Sequence, residues 1–226
     1  MKEPKRITLF AGHYGSGKTN IAVNYAVWMK RNQKDVVIAD LDIVNPYFRT
    51  KDSIDLLEKE GIELISPKFA NTNVDLPALP QEAYSLFHRR DRYGVLDIGG
   101  DDRGAYALGR YSPFILEENN YEMFFVASKY RPLTPTPEDA LEVMREIERA
   151  ASLPFTGIIN NSNIGHLTTA EDVLDSEEYA KGLSEISGLP LAFTCVKKEL
   201  YPELENKIKN IFPITLAERY YDIKEN

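Results

Sequence analysis

A chain of 226 residues with 43% hydrophobic and 27% charged residues is long enough to bury a core, and its composition is that of an ordinary globular protein. The formal net charge of −8 excludes a broad nucleic-acid-binding surface, and the one cysteine, Cys195, excludes an intrachain disulfide or a cysteine-pair metal site. No stretch approaches the roughly 18 consecutive apolar residues of a membrane span.

Met1 to Arg6 runs straight into the apolar Ile7-Thr8-Leu9-Phe10-Ala11, so a strand is expected there rather than a removable signal peptide. With the reduced cysteine, this points to a cytoplasmic setting. Gly12-His13-Tyr14-Gly15-Ser16-Gly17-Lys18-Thr19 follows and fits G-x-x-x-x-G-K-[ST]. In that pattern backbone N–H groups cradle the phosphates, Lys18 reaches the β- and γ-phosphates, and Thr19 places its hydroxyl on Mg²⁺. Ile21, Tyr25 and Trp28 then recur at helical spacing, so a helix is predicted from Lys18 to about Arg31. Strand, glycine-rich turn and helix together are the context in which the motif binds phosphate.

Val36 to Ala39 reads as a strand covered on both faces and ends in Asp40-Leu41-Asp42. Carboxylates at the carboxyl end of a parallel strand lie where ligands bind in open α/β sheets, so both are metal or water-orienting candidates. Arg49, in the irregular segment beyond, is a candidate phosphate or interface contact. Asp52 to Glu60 is a predicted helix closed by Gly61, with a short strand at Ile62 to Ile65. Asn71 to Pro80 is a proline-bearing loop, and Gln81 to Arg90 another helix.

Tyr93 to Gly100 is the second strong signal: an apolar strand ending in Asp97 and then Gly99-Gly100. Asp97 there suits Mg²⁺ held through water, and the paired glycines allow the backbone to approach a γ-phosphate. Arg103 to Leu116 reads as helix interrupted near Ser112-Pro113, and Tyr121 to Ala127 as a buried strand. Lys129, Arg131, Arg145 and Arg149 are candidates for a local nucleic-acid patch within the acidic average, and the favoured reading of them is solvated or phosphate-side charge.

Glu138 to Ala151 is a well-marked helix opened by Thr136 or Pro137. Phe155 to Ile159 is the next strand, ending in Asn160-Asn161-Ser162-Asn163, where an amide can read the edge of adenine. A long helix capped by Thr168-Thr169, a strand from Leu191 to Val196 and an outer helix from Glu199 to Asn210 follow. The tail from Ile214 to Asn226 lacks the basic polar face of a membrane-surface helix. Strands and helices alternate throughout, which predicts a mostly parallel, doubly wound sheet with helices on both faces, in one domain spanning residues 1–226.

The order of these signals resembles the MinD/ParA/CobQ-type ATPases, of the class that also includes the nitrogenase iron protein and the signal-recognition GTPases. The resemblance covers the whole chain. It implies a sheet of seven or eight strands with the Asp97 strand beside the P-loop strand, ATP and Mg²⁺ as cofactors, slow hydrolysis and an ATP-dependent homodimer. Carried over by position, Gly15 to Asn20 cradle the phosphates, with Gly12, His13 and Tyr14 completing the loop. Lys18 and Asp42 are then catalytic, Thr19, Asp40 and Asp97 serve the metal, Gly100 meets the γ-phosphate, and Asn160 or Asn161 contacts the base. The family's K-G-G-x-G-K-[ST] has a lysine where this chain has His13, and a glycine where it has Tyr14. A neutral, shorter imidazole cannot reproduce the lysine's reach into a partner subunit.

The leading expectation is a Mg²⁺-dependent ATPase acting as a nucleotide-gated switch or maturation factor on a protein partner, with no membrane or nucleic-acid partner. Two others stand beside it. One is an ATP-dependent ligase or small-molecule kinase of the cobyrinate or dethiobiotin synthetase type, and the other is a scaffold that holds nucleotide without turnover.

Overall fold

The structure, a computed structural model, describes residues 2–42, 54–66, 81–100 and 102–216. Its strands are β1 (Ile7–Ala11), β2 (Val36–Leu41), β3 (Glu63–Ile65), β4 (Tyr93–Ile98), β5 (Tyr121–Ala127), β6 (Gly157–Asn160), β7 (Leu191–Lys197) and β8 (Ile211–Ile214). The helices are α1 (Lys18–Arg31), α2 (Ile54–Glu60), α3 (Gln81–His88), α4 (Asp102–Gly109), α5 (Ser112–Glu118), α6 (Pro137–Ala151), α7 (Ala170–Ser187) and α8 (Tyr201–Leu204). The strands form one eight-stranded sheet in the order β3-β2-β4-β1-β5-β6-β7-β8. Every pairing in it is parallel.

The sheet is buried on both faces because its strands are apolar at successive positions rather than at alternate ones. Ile7, Leu9 and Ala11 of β1 enter one core with Val37, Ala39, Leu96, Met123, Phe125 and Ile158, under α3 to α7. Phe10 turns to the other face, joining Val36, Ile38, Val95, Phe124, Val126 and Ile159 under α1 and α2. Helix α6 buries Ala140, Met144, Ile147 and Ala151, a single stripe at helical spacing. At the amino end of β1, Arg6 is buried yet satisfied, pairing with Glu118 and donating to the carbonyls of Leu86 and Arg92, both at 3.0 Å. Such a pair tolerates burial only with its remaining donors occupied.

One sequence expectation is corrected. The outer helix expected from Glu199 to Asn210 is a 3₁₀ turn, Lys198–Leu200, and the short α8, because Pro202 fits only a first turn. Ile211–Ile214 is instead the eighth strand, paired with β7 alone on its inner side. Pro213 is compatible with that position because an edge strand leaves one side of its backbone unpaired. The interruption expected near Ser112-Pro113 is present: α4 ends at Gly109 and α5 starts at Ser112, with Pro113 in its first turn. Arg49 and the Asn71–Pro80 loop lie outside the described residues, as does most of the expected tail.

Candidate functional site

The site is built where the chain turns from β1 into α1, at the carboxyl edge of the sheet. Strand β1 lies between β4 and β5, so loops after all three converge on residues 12–17. Gly17, at φ 86°, ends the turn and stands at the cap of α1, where a glycine has no side chain with which to close the helix start. The first turn of α1 contains no acidic residue. The positive end of the helix dipole therefore meets no carboxylate of its own first turn, which suits it to an anion.

Lys18, 6% exposed, folds back so that its Nζ donates to the His13 carbonyl at 3.2 Å. That carbonyl also accepts the Ser16 N–H at 3.1 Å, which closes the loop on itself. A Cβ added to Gly100 would lie 2.7 Å from Tyr14 N and 2.8 Å from Lys18 Nζ. The backbone after β4 thus rests directly on the P-loop, and only glycine permits this approach. Tyr14 itself is 51% exposed, and the half-buried Asn20 gives its carbonyl to Asn24.

Sheet register assembles the acidic group. Asp40 of β2 is paired with Asp97 of β4, and both alternate onto the face covered by α1. The first turn of α1 places Thr19 over them, its Oγ1 donating to Asp97 Oδ2 at 2.5 Å. Asp40 Oδ1 accepts the Asp42 N–H at 3.0 Å, which ties the end of β2 to the same cluster. The Asp42 carboxylate points to the glycine segment, with Oδ1 3.2 Å from the place of a Gly99 Cβ.

Burial raises the Asp97 pKa well above the usual carboxylate range, with Asp40 adding to the rise and Lys18 and Thr19 opposing it. Asp97 Oδ1 is buried with no hydrogen-bond partner among the described residues. An all-oxygen set of two carboxylates and a hydroxyl, one oxygen unsatisfied, fits a hard cation that keeps water and phosphate among its ligands. Among the described residues no group of three or more His, Cys, Asp or Glu is arranged to hold a metal by protein ligands alone.

The two strand-terminal asparagines separate. Asn160 shares parity with Ile158 and faces α7, where its amide donates to Ser176 Oγ at 2.9 Å and to Glu177 at 3.2 Å. Its Oδ1 accepts from the Ser162 hydroxyl at 2.8 Å, so the whole side chain is engaged inside the core. Asn161 falls on the opposite face and donates to the Ser16 carbonyl at 2.6 Å, while its Oδ1 accepts from Asn163. A Cβ on Gly17 would stand 2.4 Å from that amide nitrogen, so Asn161 and the P-loop are fitted to each other.

His13 is half-buried, and burial lowers its pKa, with the charges of Lys18 and Arg131 acting in the same direction. The imidazole is neutral near pH 7 and supplies no cation. The basic residues noted in sequence do not form one patch. Lys129 pairs with Asp175, Arg145 with Glu148, and Arg149 bonds the Arg145 carbonyl. Arg131 alone among them reaches the P-loop, with guanidinium atoms 3.6–3.7 Å from the place of a Gly15 Cβ. The sequence signal for it was its position just past β5, a strand flanking β1.

No family model matches the sequence, and no curated protein matches it. Solved structures do. FtsY from Mycoplasma mycoides superposes with a TM-score of 0.56 at 16% identity, over 84% of this chain and 59% of that one. The cell division protein FtsY of Thermotoga maritima gives 0.57 at 19% identity, over 87% of this chain and 63% of that one. The signal recognition particle receptor FtsY of Elizabethkingia anophelis, in complex with GDP, gives 0.56 at 14%, over 87% and 58%. The chain thus spans about three-fifths of the length of these proteins. At these identities the likeness is one of fold, and the MinD/ParA-type resemblance is not confirmed by it. The molecule has the α/β fold of the P-loop NTPases, with an all-parallel eight-stranded sheet.

Proposed function

We propose that this protein binds a Mg²⁺–nucleotide, ATP in our reading, hydrolyses it slowly and acts as a nucleotide-gated switch on a protein partner. The observation that carries the reading is the uncapped N-terminus of α1 directly beside Lys18 and the Thr19–Asp97–Asp40 oxygen cluster. Residues 12–17 and the first turn of α1 would hold the phosphates, with Lys18 exchanging the His13 carbonyl for phosphate oxygens. Thr19 and Asp97, backed by Asp40, would hold Mg²⁺, which offsets charge on the transferred phosphoryl. Asp42, beside Gly99, would orient the attacking water.

The gate follows from the contact between Gly100 and Lys18. A γ-phosphate in this corner meets the segment after β4, and that segment leads into α4, whose Tyr106 is 67% exposed. Filling the site therefore bears on a helix that carries an apolar surface residue. Adenine is our reading because the loop after β6, Asn161-Ser162-Asn163, has no carboxylate to accept both donors of guanine's edge. FtsY from Elizabethkingia anophelis is in complex with GDP, and GTP is the nucleotide that competes with this reading. A neutral His13 leaves self-association without the lysine on which the resembled dimers depend.

The test is thermal unfolding with Mg-ATP and Mg-GTP, together with phosphate release in the absence of any added substrate. Saturating nucleotide at a hundredfold excess over Kd should stabilise the fold by about 2.7 kcal/mol. Asp42→Asn should keep that stabilisation and lose most turnover. An unchanged melting curve with both nucleotides would sink the proposal, and stabilisation by Mg-GTP alone would replace ATP within it. Turnover strictly dependent on a carboxylic acid would favour a ligase, and tight binding with none a scaffold.

A further inference from the structure

We propose that Arg131 is a phosphate contact of the bound nucleotide, supplied from within the chain and providing the second cation that His13 does not. This rests on the reading of residues 12–19 as a nucleotide site. The guanidinium Cζ, Nε and Nη1 lie 3.6, 3.6 and 3.7 Å from where a Cβ of Gly15 would stand, in van der Waals reach of the loop. Gly15 has φ 77°, a conformation that keeps this part of the loop free of side chains.

The turn that carries Arg131 is held from several sides. Thr134 Oγ1 donates to the Ser128 carbonyl at 2.9 Å, and the Thr134 N–H donates to the Arg131 carbonyl at 3.0 Å. The Lys129 N–H donates to Ser162 Oγ at 2.9 Å, and the Tyr130 hydroxyl to the Asp172 carbonyl at 2.9 Å. Neighbouring Lys129 is turned outward to Asp175, so the turn divides its cations between surface and site. The field of both site cations converges on His13, whose charged form is opposed first by burial and then by Lys18 and Arg131.

In a chain of net charge −8, two cations facing one glycine loop and an uncapped helix start make a local basin for an anion. Arginine suits the second position because its planar fork can grip two phosphate oxygens together, which a lysine cannot. The arrangement also answers how a P-loop with a neutral residue at position 13 gathers enough positive charge. The cation comes from the turn that follows β5, the strand beside β1.

The experiment measures Mg-ATP and Mg-ADP dissociation constants for wild type, Arg131→Ala and Arg131→Gln, alongside melting of each protein without nucleotide. Both variants should weaken nucleotide binding tenfold or more and leave nucleotide-free melting close to wild type. Arg131→Lys should recover only part of the loss. Arg131→Gln keeps most of the stem and removes the charge, so it reads the contact even where the alanine variant fails to fold. Binding by Arg131→Gln within twofold of wild type overturns the proposal while leaving the nucleotide site standing. Absence of nucleotide binding by wild type overturns the site reading, and this proposal with it.

Discussion

Helices α1 and α7 begin in opposite ways. Thr169 caps α7, accepting the Asp172 N–H, and Asp172 returns a bond to the Thr169 N–H at 2.8 Å. Glu171 and Asp172 add negative charge to that first turn, and the bonds from Thr169 hold the Asp172 carboxyl below its usual pKa. Helix α6 repeats the solution with Thr136, Glu138 and Asp139. Helix α1 has none of it: a glycine cap, no acidic residue, and Lys18 and Thr19 as its first residues. Where the chain supplies its own acceptors a helix start is finished. Where it withholds them and adds a cation, the start is left suited to negative charge from outside the helix.

Lys18→Ala breaks the comparison most sharply. It should erase the stabilisation by Mg-nucleotide, roughly 5–10 °C in Tm for a chain of this size, which a thermal shift series would register. A retained shift in that variant would mean that the anion is held elsewhere.

Asp97 gives the next effect. Its raised pKa means that the folded protein holds this proton more tightly than the unfolded chain. The Asp97 contribution to the stability of the ligand-free protein should therefore be full near the ordinary carboxylate range and be lost as pH rises above it. Asp97→Asn should flatten that decline, and a bound Mg-nucleotide should relieve it in the wild type. Chemical denaturation across pH 5–9 reads both. A wild-type profile that rises through this window would contradict the assignment.

The smallest effect belongs to the finished helix start. Thr169→Ala should cost about 1 kcal/mol through loss of the cap and leave the nucleotide response unchanged. A changed nucleotide dissociation constant in this variant would show that the two helix starts are coupled rather than independent.

Much of the site was legible in sequence because its parts are local. The eight residues of the P-loop, the helix face of Ile21 and Tyr25, and the apolar strand before Asp97 each carry their signal within a few positions. The outer helix was misread because Glu199 to Asn210 has ordinary helical composition, whereas β8 is defined by its partner β7. Arg131 was grouped with Lys129, Arg145 and Arg149 on charge alone, a property that says nothing of which cation faces inward.

What the sequence by itself determined is the glycine loop, the lysine and threonine after it, the caps of α6 and α7, and the two strand-terminal aspartates. These follow from backbone sterics and short-range hydrogen bonding, which neighbouring residues dictate. Tertiary structure decided which of them meet. Asp40 and Asp97 become one acidic group only through the register of β2 on β4. Asn160 and Asn161 part company because successive residues of a strand face opposite sides, so only Asn161 reaches Ser16. Arg131 comes to Gly15 because β5 pairs with β1. Strand neighbours in a parallel sheet are chosen by crossovers through helices, and no local pattern records that choice.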